Sequence, residues 1–246
     1  MFSYARQIPI EDSPRTAPQR IVIANSKGGC GKTTLAVNLA AYYAMRHART
    51  ALLDYDKQAS SSYWLRTRAQ SRAPIHGIAA YQQDLKNVTR AWLMRLPAGT
   101  QKVVVDTPAG LSGVQLSTIL HSADVVIVPV LPSVFDIQAA TQFILDLKKE
   151  LHHLHKSQVR IAFVANRIKS HTLSFHALKS HLAKMDIPYL ANFRDTQNYT
   201  KTAQLGVSIH ECYDLDVGVD VEQWVPLLRW IDDLGVDESE KMHAIH

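Results

Sequence analysis

Residues 26 to 34 read Ser26-Lys27-Gly28-Gly29-Cys30-Gly31-Lys32-Thr33-Thr34, and what stands on either side of them decides the fold. Before the run lies a short apolar stretch, Ile21-Val22-Ile23-Ala24. Behind it a helical pattern covers Thr34–His47. A strand, a glycine-rich loop and a helix in that order turn consecutive backbone N–H groups toward one centre. The positive end of the helix dipole then stands behind them. Such a loop cradles phosphates. Lys32 is placed to reach the β- and γ-phosphates of a nucleotide, and the Thr33 hydroxyl to ligate Mg²⁺. Two features are unusual: Ser26 stands where the ordinary pattern has its first glycine, and Lys27 is a second lysine which that pattern does not require.

Working outward, short apolar runs rich in β-branched residues alternate with helical patterns. The runs are Ile21–Ala24, Ala51–Leu53, Val103–Val105, Val125–Val130 and Ile161–Val164, with a weaker one at Ile78–Tyr81. Continuous apolarity over so few residues marks strands buried on both faces of a parallel sheet. Helices are predicted at Thr34–His47, Ser60–Arg72, Asp84–Leu96, Ala139–His153, Leu173–Lys184 and Glu222–Leu234. The expected fold is α/β: a doubly wound, mostly parallel sheet flanked by helices, with ligands at the carboxyl ends of the strands. Residues 1–19, polar and holding Pro9, Pro14 and Pro18, read as a flexible arm, and residues 20–246 as one domain.

The strand ends carry acids. The second strand runs into Asp54-Tyr55-Asp56-Lys57-Gln58 and the third into Asp106-Thr107-Pro108. A carboxylate closing a buried strand beside a phosphate site holds Mg²⁺, usually through water, or orients the attacking water.

The loop K-G-G-x-G-K-[ST] together with these acids resembles the ParA/MinD family of deviant Walker A ATPases, over about residues 20 to 235. The resemblance implies a P-loop NTPase fold and a Mg²⁺-dependent ATPase. Residues Lys27, Gly28, Gly29, Cys30, Gly31, Lys32, Thr33 and Thr34 would form the ATP loop. It further implies that Lys27 crosses a homodimer interface to touch the partner's nucleotide. Lys27, Lys32 and Asp56 would be the catalytic residues, and Thr33, Asp54 and Asp106 would serve the metal. Asn166, at the end of the fifth strand, would meet the adenine; a strand-end asparagine closing a turn is the alternative. Lys57 departs from the family, which often has proline there.

Composition bounds the rest. Two cysteines, Cys30 and Cys212, give neither a disulfide framework nor metal spacing. No apolar run approaches the ~18 residues of a membrane span, and no secretory pattern opens the chain, so a cytoplasmic protein is expected. The net charge is +5, but its distribution says more. Residues 1 to 72 hold eleven Lys/Arg against four Asp/Glu and residues 156 to 201 hold eight against two, whereas residues 211 to 240 hold ten acids and one base. A basic face of this kind suits a polyanion. Lys169, Lys179, Lys184, Arg194 and Lys201 are the expected DNA contacts, in a nucleoid-associated protein. His171, His176 and His181 fall about 140° apart on a helix and share no ligand site. Tyr63-Trp64 either lines a partner surface or packs in the core.

The expected function is an ATP-dependent dimerising switch that binds DNA without sequence preference and positions a cargo, with hydrolysis stimulated by a ParB-like or adaptor partner. Its alternatives are a MinD-like ATPase on a membrane, which the acidic Glu222–Glu240 region disfavours, and an ATP-binding scaffold with little turnover.

Overall fold

The structure, a computed structural model, describes residues 17–82, 96–213 and 215–233. The expected helix Asp84–Leu96, except Leu96 itself, and most of the expected arm, residues 1–16, lie outside them. Seven strands form one sheet: β1 Gln19–Ile23, β2 Thr50–Asp54, β3 Ile75–Ala79, β4 Lys102–Asp106, β5 Val125–Val130, β6 Arg160–Ile168 and β7 Tyr189–Arg194. Their order is β3-β2-β4-β1-β5-β6-β7, and every pair is parallel.

The helices are α1 Lys32–Met45, α2 Ser60–Thr67, α3 Gly113–Leu120, α4 Val134–His153, α5 Leu173–Leu182, α6 Asn198–Gln204, α7 Gly218–Glu222 and α8 Val225–Asp232. Successive side chains of a strand point to opposite faces, and two cores follow. Val22, Leu53, Val105 and Val128 pack with α3, α4 and α5. Ile21, Leu52, Val104 and Ile127 pack with α1, Trp64 of α2, and α8. The sheet is doubly wound.

Several elements differ from the sequence expectation, each for a physical reason. Strand β7 was not expected, because at the sheet edge only Ala191 and Phe193 of its six residues are buried, so no continuous apolar run marks it. The edge strand β3 lies three residues ahead of Ile78–Tyr81; His76 and Gly77 face solvent and hide it. Helix α4 starts five residues before Ala139, because the Ser133 hydroxyl accepts a bond from Asp136 N at 3.1 Å and caps it. The helix expected over Glu222–Leu234 is two pieces, with Pro226 at the start of the second, where its missing N–H is harmless.

Candidate functional site

The carboxyl ends of the central strands meet in register. Asp106 of β4 is paired with Ile23 of β1 on one side and with Asp54 of β2 on the other. Two residues back on each strand, Ile21, Val104 and Leu52 face α1. By the same alternation Asp54 and Asp106 face the side on which α1 and α2 begin. The fold thus sets both acids against Thr33 and the first turn of α2.

The loop between β1 and α1 is held from two sides. Asn25 donates to the carbonyl of Pro129 at 2.7 Å and accepts from Lys27 N at 3.1 Å, fixing the entry to the loop. Asn166 donates to the carbonyl of Cys30 at 2.8 Å and accepts from Arg167 N at 2.9 Å. Its amide lies against Gly31, whose φ of +95° and lack of Cβ allow the approach. Lys32 is folded inward: its ammonium donates to the carbonyl of Lys27 at 2.8 Å and lies 3.9 Å from Cys30 Sγ. Burial raises the Cys30 thiol above its ordinary pKa, against the pull of Lys32. Lys27 is exposed, and its ammonium makes no hydrogen bond or ion pair among the described residues. The two lysines of the loop therefore face opposite ways.

The acids divide similarly. Asp54 is buried and both its oxygens are engaged, Oδ1 accepting from Asp56 N at 3.0 Å and Oδ2 from Ser62 N at 2.9 Å. A carboxylate at the first turn of α2 also suits the helix dipole. Asp56 is half-buried and its Oδ1 accepts from Gln58 N at 2.9 Å. Asp106 is 0 % exposed, and neither oxygen has a hydrogen-bond partner in the protein. Burial pushes its carboxyl up to about 7; the hydroxyls of Thr33 and Ser61 pull it down without completing a bond, while Asp54 and Asp56 push it further up. A buried carboxylate left open in this way suits a hydrated divalent cation. Of the three residues expected to serve Mg²⁺, Asp106 has open oxygens, Thr33 brings a hydroxyl beside it, and Asp54 shapes the segment between Asp56 and Ser62.

Other parts of the site were not expected from the sequence. Ser61 was not singled out, since one serine among Ser60-Ser61-Ser62 carries no signal until the helix phase is known. Behind α2, Arg68 makes a fork to Glu211 at 2.7 and 2.5 Å. The Glu211 carboxylate also accepts from Ser208 N at 2.9 Å, closing a capping box. Burial would raise Glu211, but the Arg68 fork and the Ser208 N–H hold it below the usual carboxylate range. Asn38 of α1 accepts from Ile209 N at 2.7 Å and donates to Thr34 O at 2.7 Å, joining the same segment to the loop helix. Gly206 makes the approach to Arg68 possible: a Cβ there would meet the Arg68 backbone at 2.6 Å. The pair Tyr63-Trp64 splits, Trp64 entering the core and Tyr63 staying 64 % exposed.

The basic residues do not form one face. Lys169, Lys179 and Lys184 are exposed on and around α5, which packs on the face of α3 and α4. Lys201 is exposed on α6, which packs against α2. Arg194 is engaged by the buried Asp220 at 2.5 and 3.0 Å, and this bond raises its pKa. Among the described residues no group of three or more His, Cys, Asp or Glu could hold a metal. No described helix is long and apolar enough to cross a membrane.

Residues 21–208 match the CobQ/CobB/MinD/ParA nucleotide binding domain. The chain belongs to this family. Members of the ParA/MinD family are ATPases. The chain is 37% identical over 123 residues to Maintenance of carboxysome distribution protein A (McdA) of Gloeobacter kilaueensis, covering 49% of this chain and 52% of that protein. The match therefore spans about half of that relative. The protein of the same name from Halothiobacillus neapolitanus is 27% identical over 195 residues, covering 78% of this chain and 86% of that one. Among solved structures, an ATP complex of Cyanothece McdA superposes with a TM-score of 0.67 at 15% identity, over 89% of this chain and 97% of that one. MinD of Pyrococcus horikoshii with Mg-ADP gives 0.68 at 18% identity, over 89% and 97%. Both show the fold.

Proposed function

We propose that this ParA/MinD-family chain is a Mg²⁺-dependent ATPase which dimerises on ATP, binds DNA without sequence preference, and positions a cargo, its hydrolysis stimulated by an adaptor protein. The observation that carries the reading is the opposed pair of lysines, Lys32 folded into the loop and Lys27 turned to solvent beside it. A one-subunit site needs only the first. The second is free to reach a nucleotide held by another copy of the chain.

In this reading the backbone of Gly28 to Thr34 and the Lys32 ammonium hold the phosphates, and Asn166 places the loop and borders the base. Thr33 and Asp106 would hold Mg²⁺, which neutralises charge on the phosphates. Asp56, on the segment braced by Asp54, holds the attacking water in line. Its carboxylate is half-buried and so remains reachable by water. The exposed Lys169, Lys179, Lys184 and Lys201 of two subunits would line the DNA backbone, with binding that weakens as salt rises. Arg194, paired with Asp220, contributes less. The residues ahead of β1 would serve partner choice before one ATPase domain, in a cytoplasmic, nucleoid-bound protein. The relatives' names put chromosomes and carboxysomes among the cargo classes.

A DNA mobility-shift assay tests this. Binding should require ATP and disappear both without nucleotide and in Lys27→Gln. Binding indifferent to all three conditions would overturn it.

A further inference from the structure

The first turn of α2 carries a hydroxyl that the reading above does not use. Ser61 is 0 % exposed and its Oγ has no hydrogen-bond partner. Leaving a buried hydroxyl unmade costs ~1–3 kcal/mol, which an alanine would avoid. The cost is not offset by capping, since α2 begins behind Ala59, a left-handed residue with no side-chain cap. What Ser61 faces is Asp106, whose two oxygens are equally buried and equally without a partner. A donor and an acceptor sit together, each unsatisfied, at the position expected to hold a hydrated cation.

We propose that Ser61 is a positioning residue of the metal site, its hydroxyl bonding through Asp106 and the cation's water so that filling the site fixes helix α2. The proposal rests on reading the site as one for ATP and Mg²⁺. Two neighbours supply the consequence. Ser62 N, one residue on, is bonded to Asp54 Oδ2, and Asp54 Oδ1 to Asp56 N, so the turn that Ser61 anchors also sets the Asp56 backbone. Farther along, the Arg68 fork to Glu211 holds the other end of α2. The amino-terminal turn is then the end of the helix whose fixation depends on the metal position. Outer partners of this kind typically account for ~10–100-fold in metal affinity.

The test uses the full chain and a non-hydrolysable ATP analogue, with MgCl₂ titrated and melting temperature as the readout. Ser61→Ala should melt close to the wild type without ligand, because an unsatisfied hydroxyl is removed together with its pull on Asp106. The Mg²⁺ concentration giving half of the nucleotide-dependent rise should increase roughly 10-fold. In an Asp106→Asn background the same change should add less than about twofold, since coupled sites are not additive. Hydrogen exchange on residues 60–67 should slow with Mg²⁺ and analogue in the wild type and not in Ser61→Ala. Ser61→Ala titrating like the wild type, or destabilising the ligand-free protein while leaving the Mg²⁺ response intact, would show a core residue and overturn the proposal. No rise in the wild type would remove the ATP–Mg²⁺ reading itself, and this proposal with it.

Discussion

The two ends of the sheet are built on opposite terms. At the amino end, Lys102 of β4 donates to Gln19 Oε1 at 2.5 Å and to Asp232 Oδ1 at 2.9 Å, and lies 4.3 Å from the Tyr43 ring centroid. Tyr43 donates to the same Asp232 oxygen at 3.0 Å, and Gln19 donates to the carbonyl of Ile231 at 2.9 Å. β1, β4, α1 and α8 are tied together by a polar cluster in which each of these side chains has its partner. At the carboxyl end Asp106 and Ser61 are buried without partners, and Ala59 sits at a φ of +53°. The amino end is stabilised by its own bonds; the carboxyl end keeps open bonds for something that arrives. Local cost held where a ligand would arrive is where binding chemistry belongs.

Changes at the two ends should therefore have separable effects. The largest should come from Lys32→Ala, which leaves the melting temperature near that of the wild type but lowers affinity for labelled ATP by more than about 100-fold, since it removes the charge that meets the phosphates. The mirror experiment is Lys102→Met. It leaves Asp232 with the Tyr43 hydroxyl alone and Gln19 Oε1 without its donor, and should cost about 2–4 kcal/mol by urea denaturation, while ATP affinity of the folded fraction is unchanged.

How far this contrast could be read from sequence differs between its halves. The loop between β1 and α1 and the acids that close β2 and β4 were legible because a glycine-rich loop and acid-terminated strands are local patterns. The central strands were legible because burial on both faces leaves continuous apolar runs. Strand β7 and the edge strand β3 lacked that signature. The amino-end cluster was invisible: Gln19, Tyr43, Lys102 and Asp232 are scattered over more than 200 residues, and only the strand register Gln19–Lys102 brings them together. Ser61 was hidden for a related reason, since the helix phase decides which of three serines is buried. The charge counts predicted a basic face, but they could not show that Asp220 from the acidic region takes Arg194.

A smaller effect isolates the carboxyl end by pH. Burial raises Asp106 to about 7 in the folded chain, against ~3.9 unfolded. Below pH ~4 both states are protonated; between there and pH 7 only the native state keeps the proton, so stability falls as pH rises. Asp106→Asn removes that loss. It should exceed the wild type by about 2–4 kcal/mol at pH 8 without ligand, and the advantage should vanish near pH 4. His210, whose pKa burial lowers to about 3, works in the opposite sense, because the unfolded chain alone takes its proton as pH drops below ~6.5. The difference between variant and wild type is therefore the readout. The smallest effect belongs to Ser133→Ala, which removes the cap of α4 together with the hydroxyl's bond to the Asp136 carboxylate and should cost ~1 kcal/mol in urea.

The solution mass of the full chain, by light scattering with Mg²⁺ and a non-hydrolysable ATP analogue, separates the roles of the two lysines. The wild type should double its mass on adding the analogue, whereas Lys27→Gln should bind the analogue and stay a monomer. Doubling in both proteins, or in neither, would contradict the role given to the second lysine.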